Sequence, residues 1–332
     1  KSPGGLDQLS LKNIEPTVPG PGEVQVEVKA SSLNFHDYVV VLGLLPTDDG
    51  RIPLSDGAGI VTAVGEGVSK FQVGDKVLSH FFPLWQDGRP NFERIQGVPG
   101  DNVDGFAADS VTASASTFSR MPRNLDFAEA ATLTCAGLTA WRALMVETHL
   151  LPGDWVLVQG SGGVSVFALQ FAKMIGCRVI ATSSSDEKLK RLQDLGADEV
   201  INYKDEPQWG KAVLAKTGGL GVDHVVEVGG GGTFGESVRA VKLGGHIALI
   251  GVLSGPAVSE IILPRIFMKQ IRLSGIAMAN QQSQLAMLTY LDSTDIRPII
   301  SDTFDLSELA AAFQHQIDNK HFGKISISID QD

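Results

Sequence analysis

Paired cysteines, basic blocks and long apolar runs are all missing from this chain, and each absence removes a class of function. Cysteine occurs only twice, as Cys135 and Cys177. Two thiols cannot make a disulfide framework, which suits a reducing compartment and gives the cytoplasm as the expected location. No stretch of transmembrane length and no secretory-signal pattern is read, so no membrane partner is expected. No block of lysine and arginine stands out. With 38 Asp and Glu against 27 Lys and Arg, the formal net charge is −11. Such a chain repels nucleic acid and anionic lipid rather than recruiting them, so no nucleic-acid partner is expected. Internal repeats and low-complexity segments are also missing. What is present is 332 residues, 43% hydrophobic and 20% charged. That is enough for two globular domains with a sizeable core.

The chain is organised around residues 153–186, GDWVLVQGSGGVSVFALQFAKMIGCRVIATSSSD. An apolar run, Trp155 to Val158, leads into Gly160-Ser161-Gly162-Gly163-Val164. Val166, Phe167, Leu169, Phe171 and Met174 follow with broadly helical spacing, and a second apolar run, Arg178 to Ala181, ends in serines. Strand, glycine turn, helix and strand make a parallel pair with a helix N-terminus at the turn. Its unpaired N–H groups and positive dipole end favour an anion, usually a dinucleotide pyrophosphate. The third glycine place of the pattern holds Ser165. A small residue there still allows helix and strand to pack closely, though less tightly than glycine. The competing reading is a glycine-rich turn that binds nothing. The flanking strand and helix oppose it.

Taken in order, Val24 to Val28 alternates after the turn cluster Pro19-Gly20-Pro21-Gly22, which predicts a half-buried strand. Gly57 to Gly65 and Val73 to Val77 read as glycine-punctuated strands, suited to the corners of a small barrel-like β domain. Residues 79–105 have no clear period. Phe81, Phe82, Trp85 and Phe92 within them favour an ordered lid over a disordered tail. Residues 126–150 are helical in pattern, with Asp126 as N-cap. Further strands are expected at Glu199–Ile201, Asp223–Val228, Ile247–Ile250 and Ile271–Ile276. Helices are expected between them, from Asp186 to Leu195, near Gln208–Thr217, and from Thr233 after a second glycine turn, Gly229–Gly232. This alternation predicts a doubly wound parallel sheet. Helices at Leu285–Leu291 and Leu306–Ile317 precede a last strand, Lys324–Ile329, expected to return to the first domain. The expected domains are 1–125 with 278–332, and 126–277.

Several separated motifs stand in order along the chain. They are Leu33-Asn34-Phe35-His36-Asp37, Asp56-Gly57-Ala58-Gly59 with Val64-Gly65, and Gly74-Asp75-Lys76-Val77. Ala130-Ala131-Thr132-Leu133-Thr134-Cys135-Ala136-Gly137-Leu138-Thr139-Ala140 follows. After the glycine turn come Leu195-Gly196-Ala197-Asp198, Ile201-Asn202-Tyr203 and His321-Phe322-Gly323-Lys324. On these residues, which span nearly the whole chain, the sequence resembles the medium-chain dehydrogenase/reductase superfamily. It is most similar to the zinc-free, quinone-oxidoreductase-like branch. The resemblance implies an α/β fold: a doubly wound parallel (Rossmann) sheet plus a discontinuous, mainly-β GroES-like catalytic domain. It also implies a homodimer paired through the edge strand Ile271–Ile276, and an NAD(P)H-dependent oxidoreductase acting on a small carbonyl or quinone substrate.

The zinc alcohol dehydrogenases of that superfamily hold their catalytic metal with a Cys, a His and a third ligand. The matching positions here are Asn34, Ser55 and Cys135, and the four-cysteine structural lobe is absent. Catalytic zinc needs about three protein ligands beside an open position. No metal site and no zinc are therefore expected, and Cys135 reads as a small buried apolar residue. His36 stands where those enzymes carry the hydroxyl that relays the substrate proton. A histidine exchanges protons near neutral pH; a structural histidine is the competing reading. Asn34 and Tyr38 are the expected donors to a substrate oxygen, with Asp37 an orienter rather than a base.

NAD enzymes usually end the second strand in an acid that accepts from the ribose 2′-hydroxyl. Here the strand ends Thr182-Ser183-Ser184-Ser185. Losing the carboxylate removes repulsion against a 2′-phosphate, and hydroxyls donate to it, so NADPH is expected, with NADH the alternative. Lys188 stands nearby, or is a solvated helix lysine. Tyr203 matches a position that contacts this phosphate in quinone-oxidoreductase relatives. The resemblance also places Thr139 near the nicotinamide. Ile250, Gly251 and Ile276 to Met278 belong at its carboxamide, and Phe322 and Lys324 close the site. Gly229–Gly232 lines it or serves turn geometry alone. The expected reaction is hydride transfer to a quinone or an α,β-unsaturated carbonyl compound. Its rivals are a zinc-free NAD(P)-dependent alcohol dehydrogenase or carbonyl reductase, and an NADPH-binding sensor or structural protein with little catalysis.

Overall fold

The structure, a computed structural model, describes residues 4–257 and 263–329. Residues 1–3 and 330–332, the outermost of the expected first domain, and 258–262 lie outside the described residues. The chain divides into two units. One runs as far as Leu138 and resumes at Ala279; the other is Thr139–Met278. The first unit keeps the helical residues after 125, because their first turns pack on its own strands.

Strand β1 (Glu23–Ser32) buries Val24, Val26, Val28 and Ala30 on one face, the period of two that the sequence carries. Helix α1 (Phe35–Val41) follows, then β2 (Ala58–Val64), β3 (Lys76–Ser79), β4 (Ser110–Ser114) and β5 (Phe118–Arg120). Helix α2 (Phe127–Ala131) is capped by Asp126, whose carboxylate accepts from the Glu129 N–H at 2.8 Å. A π-turn at Leu133–Gly137, α3 (Leu138–Trp141) and a second π-turn at Arg142–Val146 continue the helical path.

The second unit holds β6 (Trp155–Gln159), α4 (Gly163–Ile175), β7 (Arg178–Ser183), α5 (Asp186–Asp194), β8 (Glu199–Asn202) and α6 (Trp209–Lys216). Then come β9 (Val222–Glu227), α7 (Phe234–Ala240), β10 (Val241–Leu249), α8 (Leu263–Met268) and β11 (Arg272–Gly275). The return to the first unit supplies α9 (Gln281–Leu291), β12 (Ile300–Asp305), α10 (Leu309–Ile317) and β13 (Lys324–Ser328).

The first unit is one sheet in the order β12-β13-β1-β2-β3-β5, with β4 also on β1. Strand β1 is its spine. Its first half pairs with β4, and Ala30 to Ser32 pair with β13, both antiparallel. Val24, Val26, Val28, Phe106, Phe118, Phe313, Ile325 and Ile327 form the core. The second unit is a six-stranded parallel sheet, β11-β10-β9-β6-β7-β8. Its order reverses between β9 and β6, the crevice where doubly wound sheets take ligands. Leu157, Ile180, Val225 and Ile247 lie in its core.

Strands β4, β5 and β12 and helix α8 carry little sequence signal. The first two are short; β4 is half-buried along most of its length, and β12 alternates exposure at the sheet edge. The fifth strand of the parallel sheet is longer than Ile247–Ile250, starting at Val241. Within 79–105, Phe81, Phe82 and Trp85 are buried, while Phe92 is 87% exposed. Among the described residues no helix is long and apolar enough to cross a membrane.

Candidate functional site

In the first unit, β1 ends at Ser32 and the chain turns into α1 through Leu33 and Asn34. Asn34 is extended (φ −124°, ψ 157°), the backbone of an N-cap residue. Its N–H donates to Asp37 Oδ2 at 2.9 Å, and Asp37 Oδ1 accepts from the Ser55 N–H at 2.9 Å. One buried carboxylate thus fixes both Asn34 and Ser55, as the orienter reading of Asp37 expects. Burial pushes the Asp37 carboxyl above its usual range, against the pull of His36 and Lys324. Leu54, next to Ser55, is buried at φ 77°, a left-handed conformation that a branched side chain adopts only under constraint.

Lys324 reaches this place from β13. Its Nζ donates to the Leu33 carbonyl at 2.5 Å and to Asn34 Oδ1 at 2.6 Å, and lies 3.5 Å from Asp56 Oδ2. An ammonium group only donates, so the Asn34 atom facing it is the carbonyl oxygen. The amide nitrogen faces the other way, where it donates to Ser55 Oγ at 3.3 Å. Asp56 is wholly buried; its Oδ2 accepts from Ser32 Oγ at 2.5 Å, and its Oδ1 has no hydrogen-bond partner among the described residues. Burial lifts its pKa to about 6, with Lys324 pulling the other way. Burial also pushes the Cys135 thiol well up, helped by repulsion from Asp56.

His36 lies on α1 beneath the 79–105 loop. Its ring meets Phe81 edge-on at 5.2 Å, and its Nε2 is 3.5 Å from Asp101 Oδ2 without hydrogen-bond geometry. Tyr38 is half-buried with its ring 6.2 Å from that of Phe313, against the core. Asn34 is the N-cap residue of α1, and its carbonyl accepts from the Tyr38 N–H four residues on at 3.3 Å. Phe322 is buried, and its N–H donates to Ser301 Oγ at 2.9 Å.

In the second unit, β6 ends at Gln159 and the chain turns at Gly160, with φ 72°. Helix α4 starts at Gly163 on an N-cap glycine, Gly162, with no side-chain cap, whereas Ser185 caps α5 and Asn280 caps α9. Ser161 is buried, and Gly163 and Val164 open the first turn. Ser165, at the third glycine place, donates from Oγ to the Gln159 carbonyl at 2.6 Å and is buried. It ties helix to strand where glycine would only let them approach.

Ser183 is buried at the end of β7; its Oγ accepts from the Ser185 N–H at 3.4 Å, and its carbonyl from the Tyr203 N–H at 3.1 Å. Tyr203 therefore sits beside Ser183, with its side chain part-exposed. Ser184 and Lys188 are half-buried, and the Lys188 N–H donates to Ser185 Oγ at 3.3 Å. The nearby acid Asp186 accepts from Asn202 Nδ2 at 2.8 Å. Ile250 and Ile276 pack together with Ala143 and Ala248. The Ile250 and Gly251 N–H groups donate to the Glu227 carbonyl at 2.9 and 3.2 Å. Met278 is left-handed (φ 41°), and its carbonyl accepts from Arg142 Nη1 at 2.9 Å. Thr139 is buried.

Sequence reasoning missed the side chain that organises the second glycine turn. Glu227 Oε1 accepts from the Gly229 and Gly230 N–H groups, both at 2.9 Å, and from Thr233 Oγ1 at 2.5 Å. Its Oε2 accepts from Gln159 Nε2 at 2.9 Å and from Ser237 Oγ. A charged residue at the end of a central strand, directly after Val225 and Val226 and just before a glycine turn, is the signal that could have found it.

Two family descriptions match the chain: an alcohol dehydrogenase GroES-like domain over residues 20–123, and a zinc-binding dehydrogenase over residues 163–292. A zinc-type alcohol dehydrogenase-like protein of Schizosaccharomyces pombe is 39% identical over 98% of this chain and 96% of its own length. The chain belongs to the medium-chain dehydrogenase/reductase superfamily. This medium-chain oxidoreductase has the superfamily's GroES-like and Rossmann-like units. The crystal structure of an NAD-dependent alcohol dehydrogenase is 32% identical with a TM-score of 0.91, covering 99% of this chain and 98% of that one. The quinone oxidoreductase of Pseudomonas syringae pv. Tomato DC3000 is 28% identical with a TM-score of 0.83, covering 98% and 97%.

Proposed function

We propose that this oxidoreductase is a zinc-independent, NADPH-dependent reductase that delivers a hydride to a quinone or an α,β-unsaturated carbonyl compound. The observation that carries the reading is the Lys324 ammonium 2.6 Å from Asn34 Oδ1. It sets a cation at the position where the zinc members have their first ligand. A second cation there would be repelled, Ser55 Oγ is turned to the Asn34 amide, and the Cys135 thiol holds its proton. The residues do not fit zinc. They fit an amide donor: Asn34 is held with its NH₂ away from the lysine, oriented to polarise a substrate oxygen.

The dinucleotide fits the other unit. The uncapped start of α4 and Gly160, Ser161, Gly162, Gly163 and Val164 would hold the pyrophosphate. Ser183 and Ser184, with Lys188 and Tyr203, would take the 2′-phosphate that an acid at this strand end would repel; NADH is the alternative donor. Thr139, Ile250, Gly251, Ile276 and Met278 would meet the nicotinamide, which supplies the hydride when bound. Phe322 would close the site from the returning segment. Lys324 has its donors on Leu33, Asn34 and Asp56, so its part is to orient Asn34. His36 would return a proton to the reduced substrate, with Tyr38 a third donor of small effect.

A homodimer fits the edge position of β11, where Leu273 is exposed, as are Phe267 and Met268 of α8. The cytoplasm fits the scarcity of cysteine. The test mixes NADPH with quinones and enones and follows reduced-nicotinamide absorbance in the presence of chelator. Turnover insensitive to the chelator is expected. Alcohol-dependent NADP or NAD reduction instead would favour the dehydrogenase reading, which the likeness to an NAD-dependent alcohol dehydrogenase supports. Tight NADPH binding without turnover would favour a sensor.

A further inference from the structure

Glu227 stands at the end of β9, where the order of the parallel sheet reverses. It is 0% exposed, and no step of the proposed reaction uses it. A buried carboxylate without partners is costly. This one has five donors, two of them consecutive N–H groups of the glycine turn, Gly229 and Gly230. Successive backbone N–H groups converging on one point form a nest of the kind that takes phosphate. Here the anion belongs to the chain itself. The network continues: Gln159 Oε1 accepts from the Val228 and Gly229 N–H groups, each at 3.3 Å, and the Gln159 carbonyl accepts from Ser165. Gln159 immediately precedes Gly160. An unbroken path of hydrogen bonds therefore joins the second glycine turn, through Glu227 and Gln159, to the first turn and the start of α4.

We propose that Glu227 is a positioning residue for the nucleotide site: a built-in anion that fills the nest of the second glycine turn, closes that turn to phosphate, and fixes the root of the first. The nucleotide half of this rests on the NADPH reading above; the built-in anion does not. It resolves the alternatives left for Gly229–Gly232 in favour of turn geometry. Glutamine is a poor substitute. Its NH₂ would face either the donors on Oε1 or the Gln159 NH₂, whose own oxygen is held by two backbone N–H groups.

The first experiment needs no nucleotide. Thermal unfolding of wild type and E227A is compared in sodium formate and in sodium chloride at equal ionic strength. Truncation leaves the nest and a hole that formate fits. E227A is expected to melt lower than wild type, with formate recovering at least about half of the loss and leaving wild type unchanged. Formate that leaves E227A unmoved, or raises both proteins alike, overturns the built-in anion. NADPH titration by fluorescence on the same samples is expected to show E227A binding about tenfold more weakly, with formate restoring affinity. Undiminished affinity overturns the positioning role. If E227A does not fold, E227Q takes its place, with affinity expected to fall about threefold or more; affinity equal to wild type overturns the proposal. Wild type that binds no NADPH removes the nucleotide reading and the positioning role with it, while the formate result still decides whether Glu227 is a built-in anion.

Discussion

The two units each bury a charged cluster, and they satisfy it in opposite ways. Around Asn34, a cation answers carboxylates: Lys324 lies against Asp56, with Asp37 close enough to act on it. Around Glu227, one carboxylate is answered by neutral donors alone, two backbone amides, a side-chain amide and two hydroxyls. In the first cluster Asp56 Oδ1 has no protein hydrogen-bond partner among the described residues. The second is saturated. A saturated cluster holds geometry and does nothing else. An incomplete one retains capacity for protons and ligands, which is what a reacting site requires.

The largest expected effect comes from removing the cation. K324M strands buried Asp56 and should cost about 3–5 kcal/mol in urea unfolding, with D56N in the same chain restoring part of it. E227Q strands no net charge and should cost less, about 2 kcal/mol, through donors left facing donors. Equal losses would break the comparison.

Next comes the pH dependence of the incomplete cluster. Burial raises Asp56 from 3.8 to about 6. A raised carboxyl contributes stability that is whole below about pH 4 and lost as pH climbs through about 6. His80 and His224 act with the other sign. Burial lowers each from 6.5 to about 3, so their contribution is present above about pH 6.5 and lost below it. In wild type the two slopes oppose each other from pH 4 to 6. In D56N the Asp56 part of the opposing slope is gone and only that of Asp37 remains, so stability should rise more steeply with pH, gaining about 3 kcal/mol on wild type at most. Parallel curves would show that Asp56 titrates normally.

Smaller effects should follow at the reaction itself. H36N should lower kcat/KM about 10- to 100-fold if His36 returns the proton. An unchanged kcat/KM would leave His36 a packing partner of Phe81. Y38F should change kcat/KM less than about threefold, because its ring packs on Phe313 against the core.

The sequence reveals patterns of period and punctuation, and these include most of the architecture. Val24 to Val28, the glycine turn at Gly160 and the strands that follow it are local signals. The short strands β4 and β5 and the edge strand β12 are not, because Ser, Thr and Asp carry little periodic signal in so few residues. The site divides the same way. Asn34, His36 and Ser183 are recognised by place in a motif. The orientation of Asn34 depends on a lysine 290 residues away, and the saturation of Glu227 on Gln159, 68 residues back. Contacts at such separations exist only once the chain has folded. Ser165 resembles a defect in the motif until the turn brings its hydroxyl to the Gln159 carbonyl.

Strand β13 has a consequence in time. Lys324 is synthesised 290 residues after Asn34. At about 5–20 residues per second, that interval is about 15–60 s. The Rossmann unit is complete at Met278, so it can fold while the other still lacks its last strand. During that interval β1 carries an open edge at Ala30 to Ser32, and the Asn34 carbonyl oxygen lacks the ammonium group that faces it. The contact that faces the Asn34 carbonyl oxygen therefore forms only after the Rossmann unit has been synthesised. A ribosome that stops a few codons short of Lys324 leaves a chain with a complete Rossmann unit and an Asn34 that lacks its lysine.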